Sequence, residues 1–236
     1  MRVVLLEASN PCIVLVAIKT SLGKVSNLEK YWPRCEHDKL VRWIKDAINY
    51  PSVLEHVKLS WLVDGISRVT SHQLVRHRIA SYTQESQRYT EERIKKAIEC
   101  ILSMLKVRCK DFWECASNIE VNKDSKDYNT CLNIAFTIEN IENTSYLIMA
   151  LREYARCRTR NEKEVCRYLL PQASKTSILV TMNLREFLHF YCLRKSPKAQ
   201  AEIRKLAERM MEEVAKKYPW LPRIAENFCK KWGYWA

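Results

Sequence analysis

The sequence predicts a helix-rich fold of α/β or α+β class, organised as one domain over residues 1–236. Three observations predict it. Short runs of Val, Ile and Leu alternate with longer stretches whose apolar residues recur every third or fourth position, the patterns of strands and amphipathic helices. No Gly/Ser/Pro-rich linker interrupts the chain. Its 47% apolar and 28% charged residues are those of an ordinary globular protein, and no run approaches the ~18 apolar residues that a membrane span needs.

The elements follow in order. Residues 2–7 and 12–19 read as strands around a turn at Ser9-Asn10-Pro11, and Glu7 and Pro11 break the apolar run too early for a signal peptide. Leu40, Val41, Ile44, Ala47 and Ile48 place a helix at 37–49, which Pro51 ends before a short helical turn in SVLEH. Residues 57–63 alternate as a strand; Asp64-Gly65 breaks it, and a helix runs from Ile66 towards Arg78. Residues 76–89 lack both a helical apolar face and strand alternation beyond Ser81, so they read as a helix end continuing into an ordered loop. Helices are expected over 91–118 and 126–156, with the polar connector EVNKDSKD between them. A short helix with Val165, Tyr168 and Leu169 stops at Pro171, and 174–182 is a strand. Asn183 followed by Glu186 caps a helix at 184–193. Ser196-Pro197 opens the last long helix, with Ile203, Leu206, Ala207, Met210 and Val214 inward. Trp220, Trp232 and Trp235 sit in a tail that docks on the core or on another subunit.

Composition narrows the chemistry. Forty Lys/Arg against 27 Asp/Glu give a net charge of +13, which suits a polyanion or a phosphorylated small ligand. The three glycines, Gly23, Gly65 and Gly233, are far apart. Glycine loops that cradle phosphate through backbone N–H groups are therefore excluded, and side chains must hold any nucleotide. The ten cysteines form no CxxC pair and no zinc-ligand spacing, so no metal site is expected; the plain reading is buried free thiols, with structural disulfides as the alternative.

Arginine supplies what glycine cannot. The stretch RHRIASYTQESQRY at 76–89 carries Arg76, Arg78 and Arg88, planar forks suited to phosphate oxygens. Ser81, Thr83 and Ser86 can donate to the same oxygens, and Gln84 and Gln87 can read a base edge.

This stretch resembles the signature RHRxxSxxxxSxRY of the flavin-dependent thymidylate synthases, matching it at every fixed position. LEH at 54–56, RYLLPQ at 167–172, NLREFLHFYCLR at 183–194 and KAQAEI at 198–203 are similar to further family segments, in the family's order. The chain departs from the pattern at Thr83-Gln84, where many members have Asn-Glu; here the acid stands at Glu85. It departs again at Ser52-Val53, where Thr-Pro is usual.

The resemblance implies an α+β fold with a central mixed, largely antiparallel sheet, and a cytoplasmic homotetramer whose active sites are shared between subunits. It implies methylation of dUMP to dTMP, with methylenetetrahydrofolate as carbon donor, FAD as hydride carrier and NADPH as reductant. Residue by residue, it assigns Ser52, Arg76, His77, Arg78, Gln84, Asn183, Arg185 and His189 to the flavin. Gln73, Arg76, Gln84, Glu85, Ser86, Gln87, Arg88 and Arg167 fall to the nucleotide. Arg194 is the catalytic candidate, a guanidinium at the uracil edge. Ser86 is assigned to binding, because the family's chemistry does not use an enzymic nucleophile. Two other readings stand beside this one: a basic nucleic-acid-binding protein without a recognisable reader fold, and an inactive flavin-binding relative.

Overall fold

The structure is a computed structural model that describes all residues except 29–31, 33–34, 121–127, 140 and 234–236. Most of the polar connector and Trp235 therefore lie outside the described residues. The fold is α+β. One antiparallel sheet has the order β1-β2-β4-β3, formed by β1 (Arg2–Ala8), β2 (Lys58–Ser67), β3 (Ala80–Gln84) and β4 (Lys175–Asn183). Arg2 pairs with Asp64 and Ala8 with Leu59, with a bulge between Leu5 and Glu7.

The chain forms two compact units. The first comprises Met1–Asp64, His72–Thr83 and Ile178–Ala236; the second comprises Gly65–Ser71 and Gln84–Ser177.

In the first unit, β1 leads into α1 (Ile13–Ser21), where the sequence had suggested a second strand. A short apolar run does not distinguish a strand from a buried helix by periodicity. Local chemistry decides here: the Asn10 side chain accepts the Cys12 N–H at 3.0 Å, starting a helical turn, and Val14, Leu15 and Ile18 then face the core. Helix α2 (His37–Ala47) and a 3-10 turn at Pro51–His56 follow as expected. Helix α9 (Leu184–Lys195) starts straight from β4; the Asn183 side chain accepts the Glu186 N–H at 2.8 Å, and the Leu184 N–H donates to the Val57 carbonyl. Trp61 of β2 meets Phe187 of α9 with ring centroids 4.9 Å apart, at the centre of this core.

Helix α10 (Ala201–Lys217) packs on β1 and α9, burying the five residues expected to face inward. It begins four residues after Pro197 rather than at it. Ser196 instead turns back on the Lys198 and Ala199 N–H groups, forming a turn that precedes the helix. Helix α11 (Leu221–Lys231) packs on α9. Trp220 is buried, whereas Trp232 is half exposed.

Gly65 does not end β2. With φ at +75° it adopts a backbone conformation that other residues resist, and the strand runs on to Ser67. The helix after it is correspondingly short, α3 (Arg68–Leu74).

In the second unit, α4 (Glu92–Met104) packs on α6 (Asn129–Ala135), and α5 (Phe112–Ser117) packs on α7 (Ser145–Arg158). Their shared core includes Ile98, Ile101, Leu132, Phe136, Leu147 and Leu151. Glu91 fastens it at one edge, accepting from Tyr154 at 2.7 Å and Arg158 at 3.0 Å. Helix α8 (Lys163–Cys166) and a 3-10 turn at Arg167–Leu169 close the unit.

The expectation of free thiols is overturned. All ten cysteines are paired: Cys12–Cys35 and Cys192–Cys229 in the first unit, Cys100–Cys131, Cys109–Cys115 and Cys157–Cys166 in the second. Spacing along the chain could not show the two longest-range pairs, which join packed helices. Cys100 and Cys131 lie on α4 and α6, Cys192 and Cys229 on α9 and α11.

Candidate active site

The predicted residues gather in two groups, one in each unit. In the first unit, α3 ends at Leu74 and the chain turns through Arg76, His77 and Arg78 into β3. His77 is buried, while Arg76 and Arg78 are exposed. Among the described residues, neither arginine has a hydrogen-bond or ion-pair partner. The turn is fixed by Tyr82, whose hydroxyl is shared between the carbonyls of Leu74 at 2.9 Å and His77 at 2.7 Å. Burial, helped by Glu186, pushes the Tyr82 phenol well above its ordinary value, so it stays a donor.

The His77 ring is held on three sides. It packs edge-on against Phe190, with centroids 5.0 Å apart. Arg194 Nε donates to His77 Nε2 at 3.0 Å, and Glu186 Oε1 lies 3.4 Å from His77 Nδ1. Arg194 also donates from Nη2 to the Gln73 carbonyl at 3.3 Å. Burial, with the neighbouring Arg76 adding to it, lowers the Arg194 pKa. The Gln73 side chain is engaged by Gln200 at 2.6 Å.

Beside this cluster opens a cleft of about 310 Å³, lined in part by Asn183, Arg185, Glu186, His189, Ile79 and Trp232. Three of the residues assigned to a flavin thus share one cavity. Ser52, exposed, directly follows its lining residue Pro51. Arg185 forms an exposed ion pair with Glu55, also in the cleft wall, at 2.6 Å. Burial lowers the His189 pKa; Glu186 opposes this, and His77, Arg185 and Arg194 add to it.

His77, Glu186 and His189 place three potential metal-ligand atoms within 4.8 Å of one another. Both nitrogens of His77 already face protein groups, and one of those groups is a guanidinium. Arg194 and Arg185 also bring positive charge against the cluster, which opposes a cation there.

In the second unit, Gln84 Nε2 donates to Ser71 Oγ at 2.9 Å and Thr176 Oγ1 at 3.2 Å. Glu85 accepts from the Ser177 N–H at 3.0 Å and from Arg93, so its carboxylate joins the end of β3 to β4. Ser86, Gln87 and Arg88 form the turn that follows, and Arg88 pairs with Glu164 at 2.8 Å, both half exposed. Arg167 donates to the Glu164 carbonyl. Sequence reading missed Arg68 in this group. It donates to the Glu85 carbonyl, and its Nε is buried with no hydrogen-bond partner. Burial lowers its pKa, Glu85 opposes this, and Arg167 adds to it. A basic residue inside a pattern otherwise read as a helix interior was the signal for it. Glu186 was also missed, because its position three after Asn183 is fully accounted for by capping.

Comparison with known proteins converges on one family. Residues 4–220 match the family model described as thymidylate synthase complementing protein. The flavin-dependent thymidylate synthase of Saccharolobus solfataricus is 36% identical over 222 residues, covering 88% of this chain and 74% of that protein. That of Sulfolobus acidocaldarius is 34% identical over 235 residues, covering 97% and 78%. A crystal structure of the flavin-dependent thymidylate synthase ThyX from Helicobacter pylori, complexed with FAD and dUMP, superposes with a TM-score of 0.70 at 23% identity. It covers 94% of this chain and 97% of that one, which establishes the shared fold. The arginine-framed histidine and the cleft beside it thus sit on a known scaffold, and the chain belongs to the flavin-dependent thymidylate synthase family.

Proposed function

We propose that the protein methylates dUMP to dTMP, with methylenetetrahydrofolate as carbon donor, FAD as hydride carrier and NADPH as reductant. One observation carries the reading: Arg76 and Arg78, without protein partners among the described residues, flank a buried histidine beside a cleft lined by Asn183, Arg185 and His189. The donor set fits a dinucleotide. Guanidinium forks match pyrophosphate oxygens, and the cleft has room and apolar surface for a ring. FAD, when bound, supplies the hydride chemistry.

The chain's own residues bind and orient. Arg76, His77, Arg78, Ser52, Gln84, Asn183, Arg185 and His189 hold the flavin. Gln73, Arg76, Gln84, Glu85, Ser86, Gln87, Arg88 and Arg167 hold dUMP, with Arg68 behind them against the Glu85 carbonyl. Arg194 places a guanidinium at the uracil edge, where it stabilises the anionic form of the base and raises electron density at C5. In this reading the active protein is a cytoplasmic homotetramer with sites shared between subunits.

The test is direct. Purified protein is expected to be yellow and to form dTMP from dUMP when FAD, NADPH and methylenetetrahydrofolate are supplied. Colourless protein that forms no dTMP under those conditions would overturn the reading.

A further inference from the structure

We infer that Glu186 is a positioning residue that acts through His77 on Arg194. The inference rests on the proposed reaction for its kinetic consequences, though not for its geometry. A guanidinium has no acceptor, so the 3.0 Å contact requires Arg194 Nε–H to donate and His77 Nε2 to carry the lone pair. The neutral ring then bears its proton on Nδ1, and the Glu186 carboxylate oxygen lies 3.4 Å from that atom.

Three further observations support the relay. Glu186 is the third residue of α9, where a glutamate commonly turns back to the N-cap N–H. Here Oε1 is directed to the histidine instead. Both partners are buried, with side-chain exposures of 4% and 9%, and a buried carboxylate is costly unless another group answers it. The histidine backbone is independently clamped by Tyr82. Little besides the ring proton is thus left to vary, and Glu186 fixes it. Arg194, anchored by Nε on this ring and by Nη2 on the Gln73 carbonyl, is held with its remaining amine in one direction. That is what a group meant to meet a planar base edge requires.

Neutron diffraction from the deuterated protein, with no substrate present, reads the tautomer directly. A deuteron on His77 Nδ1 is expected, and one on Nε2 would overturn the relay. In the flavin-loaded protein, Glu186→Met is expected to lower kcat about ten- to a hundredfold. With FAD saturating, the KM for dUMP stays unchanged, and Glu186→Asp restores part of the rate. At saturating FAD, adding His77→Gln to Glu186→Met is expected to lower kcat no further, because both act on Arg194 through one ring, whereas FAD affinity falls with the loss of His77. Should Glu186→Met fail to fold, the near-isosteric Glu186→Gln replaces it. A variant with wild-type turnover, or losses that multiply in the double variant, would overturn the inference. Wild-type protein that makes no dTMP overturns the proposed reaction instead, and the neutron result then decides the relay by itself.

Discussion

The Arg93 guanidinium reaches the Glu85 carboxylate at 3.3 Å and Ser177 Oγ at 2.8 Å, while the Ser177 N–H donates to the same carboxylate oxygen. Glu85, assigned from the family pattern to the nucleotide, thus also closes a loop within the second unit. Both side chains are about a quarter exposed. Glu85→Ala is expected to lower unfolding stability by about 1–3 kcal/mol, the range for a charged hydrogen-bonding group removed from a partly buried network. Urea unfolding of the flavin-free protein measures it, and an unchanged midpoint would show the network to be idle.

Asn183 performs two tasks at one position. Its Oδ1 caps α9 through the Glu186 N–H, while the residue lines the cleft. Asn183→Ala is expected to cost about 1 kcal/mol from the lost cap. Asn183→Ser keeps the cap, so it is expected to recover stability without recovering flavin affinity. Calorimetry and flavin titration on the two variants separate the tasks.

Burial holds His189 below the ordinary histidine value of 6.5, with nearby His77, Arg185 and Arg194 in the same direction. In that window the unfolded chain binds the proton more readily than the folded one. This group's contribution is complete above pH 6.5 and is lost as pH falls towards the lower folded value. The melting temperature of flavin-free protein is therefore expected to drop between pH 7 and 5. His189→Asn should flatten that drop, and an unaltered pH dependence in the variant would assign it elsewhere.

The disulfides differ in what they constrain. Cys192–Cys229 closes 37 positions and ties α9 to α11, whereas Cys109–Cys115 closes six. In the chain-entropy account these closures contribute roughly 4 and 2 kcal/mol. The double change Cys192→Ala/Cys229→Ala is expected to destabilise more than Cys109→Ala/Cys115→Ala, by about 1–2 kcal/mol. Non-reducing denaturation curves give the comparison.

Three substitutions divide binding from turnover. Arg78→Ala is expected to lose FAD on gel filtration. Arg194→Ala is expected to keep FAD and lose dTMP formation. Ser86→Ala is expected to raise the KM for dUMP more than it lowers the single-turnover rate. Stoichiometric flavin on Arg78→Ala, or near-normal turnover in Arg194→Ala, would remove that residue from its role.

Sequence legibility followed the range of the interactions. Asn183 as a cap and the inward face of α10 were readable because both are set within one or two turns of helix. The Arg-His-Arg turn was readable because its residues are consecutive. What escaped was non-local. Residues 13–21 became a helix through a side-chain contact at Asn10 that hydrophobicity does not report. The Cys100–Cys131 and Cys192–Cys229 pairs depend on which helices pack together. Glu186 acts across 109 positions on His77, with no pattern in the intervening chain to announce it.

With every sulfur of the ten cysteines locked to another, the chain has no thiolate to add to a pyrimidine ring. Activation of the base at C6 by covalent attachment to cysteine is closed to it. Thiol-selective alkylating reagents should leave the native protein unmodified, and in the proposed reaction the ring is made reactive by charge set along its edge.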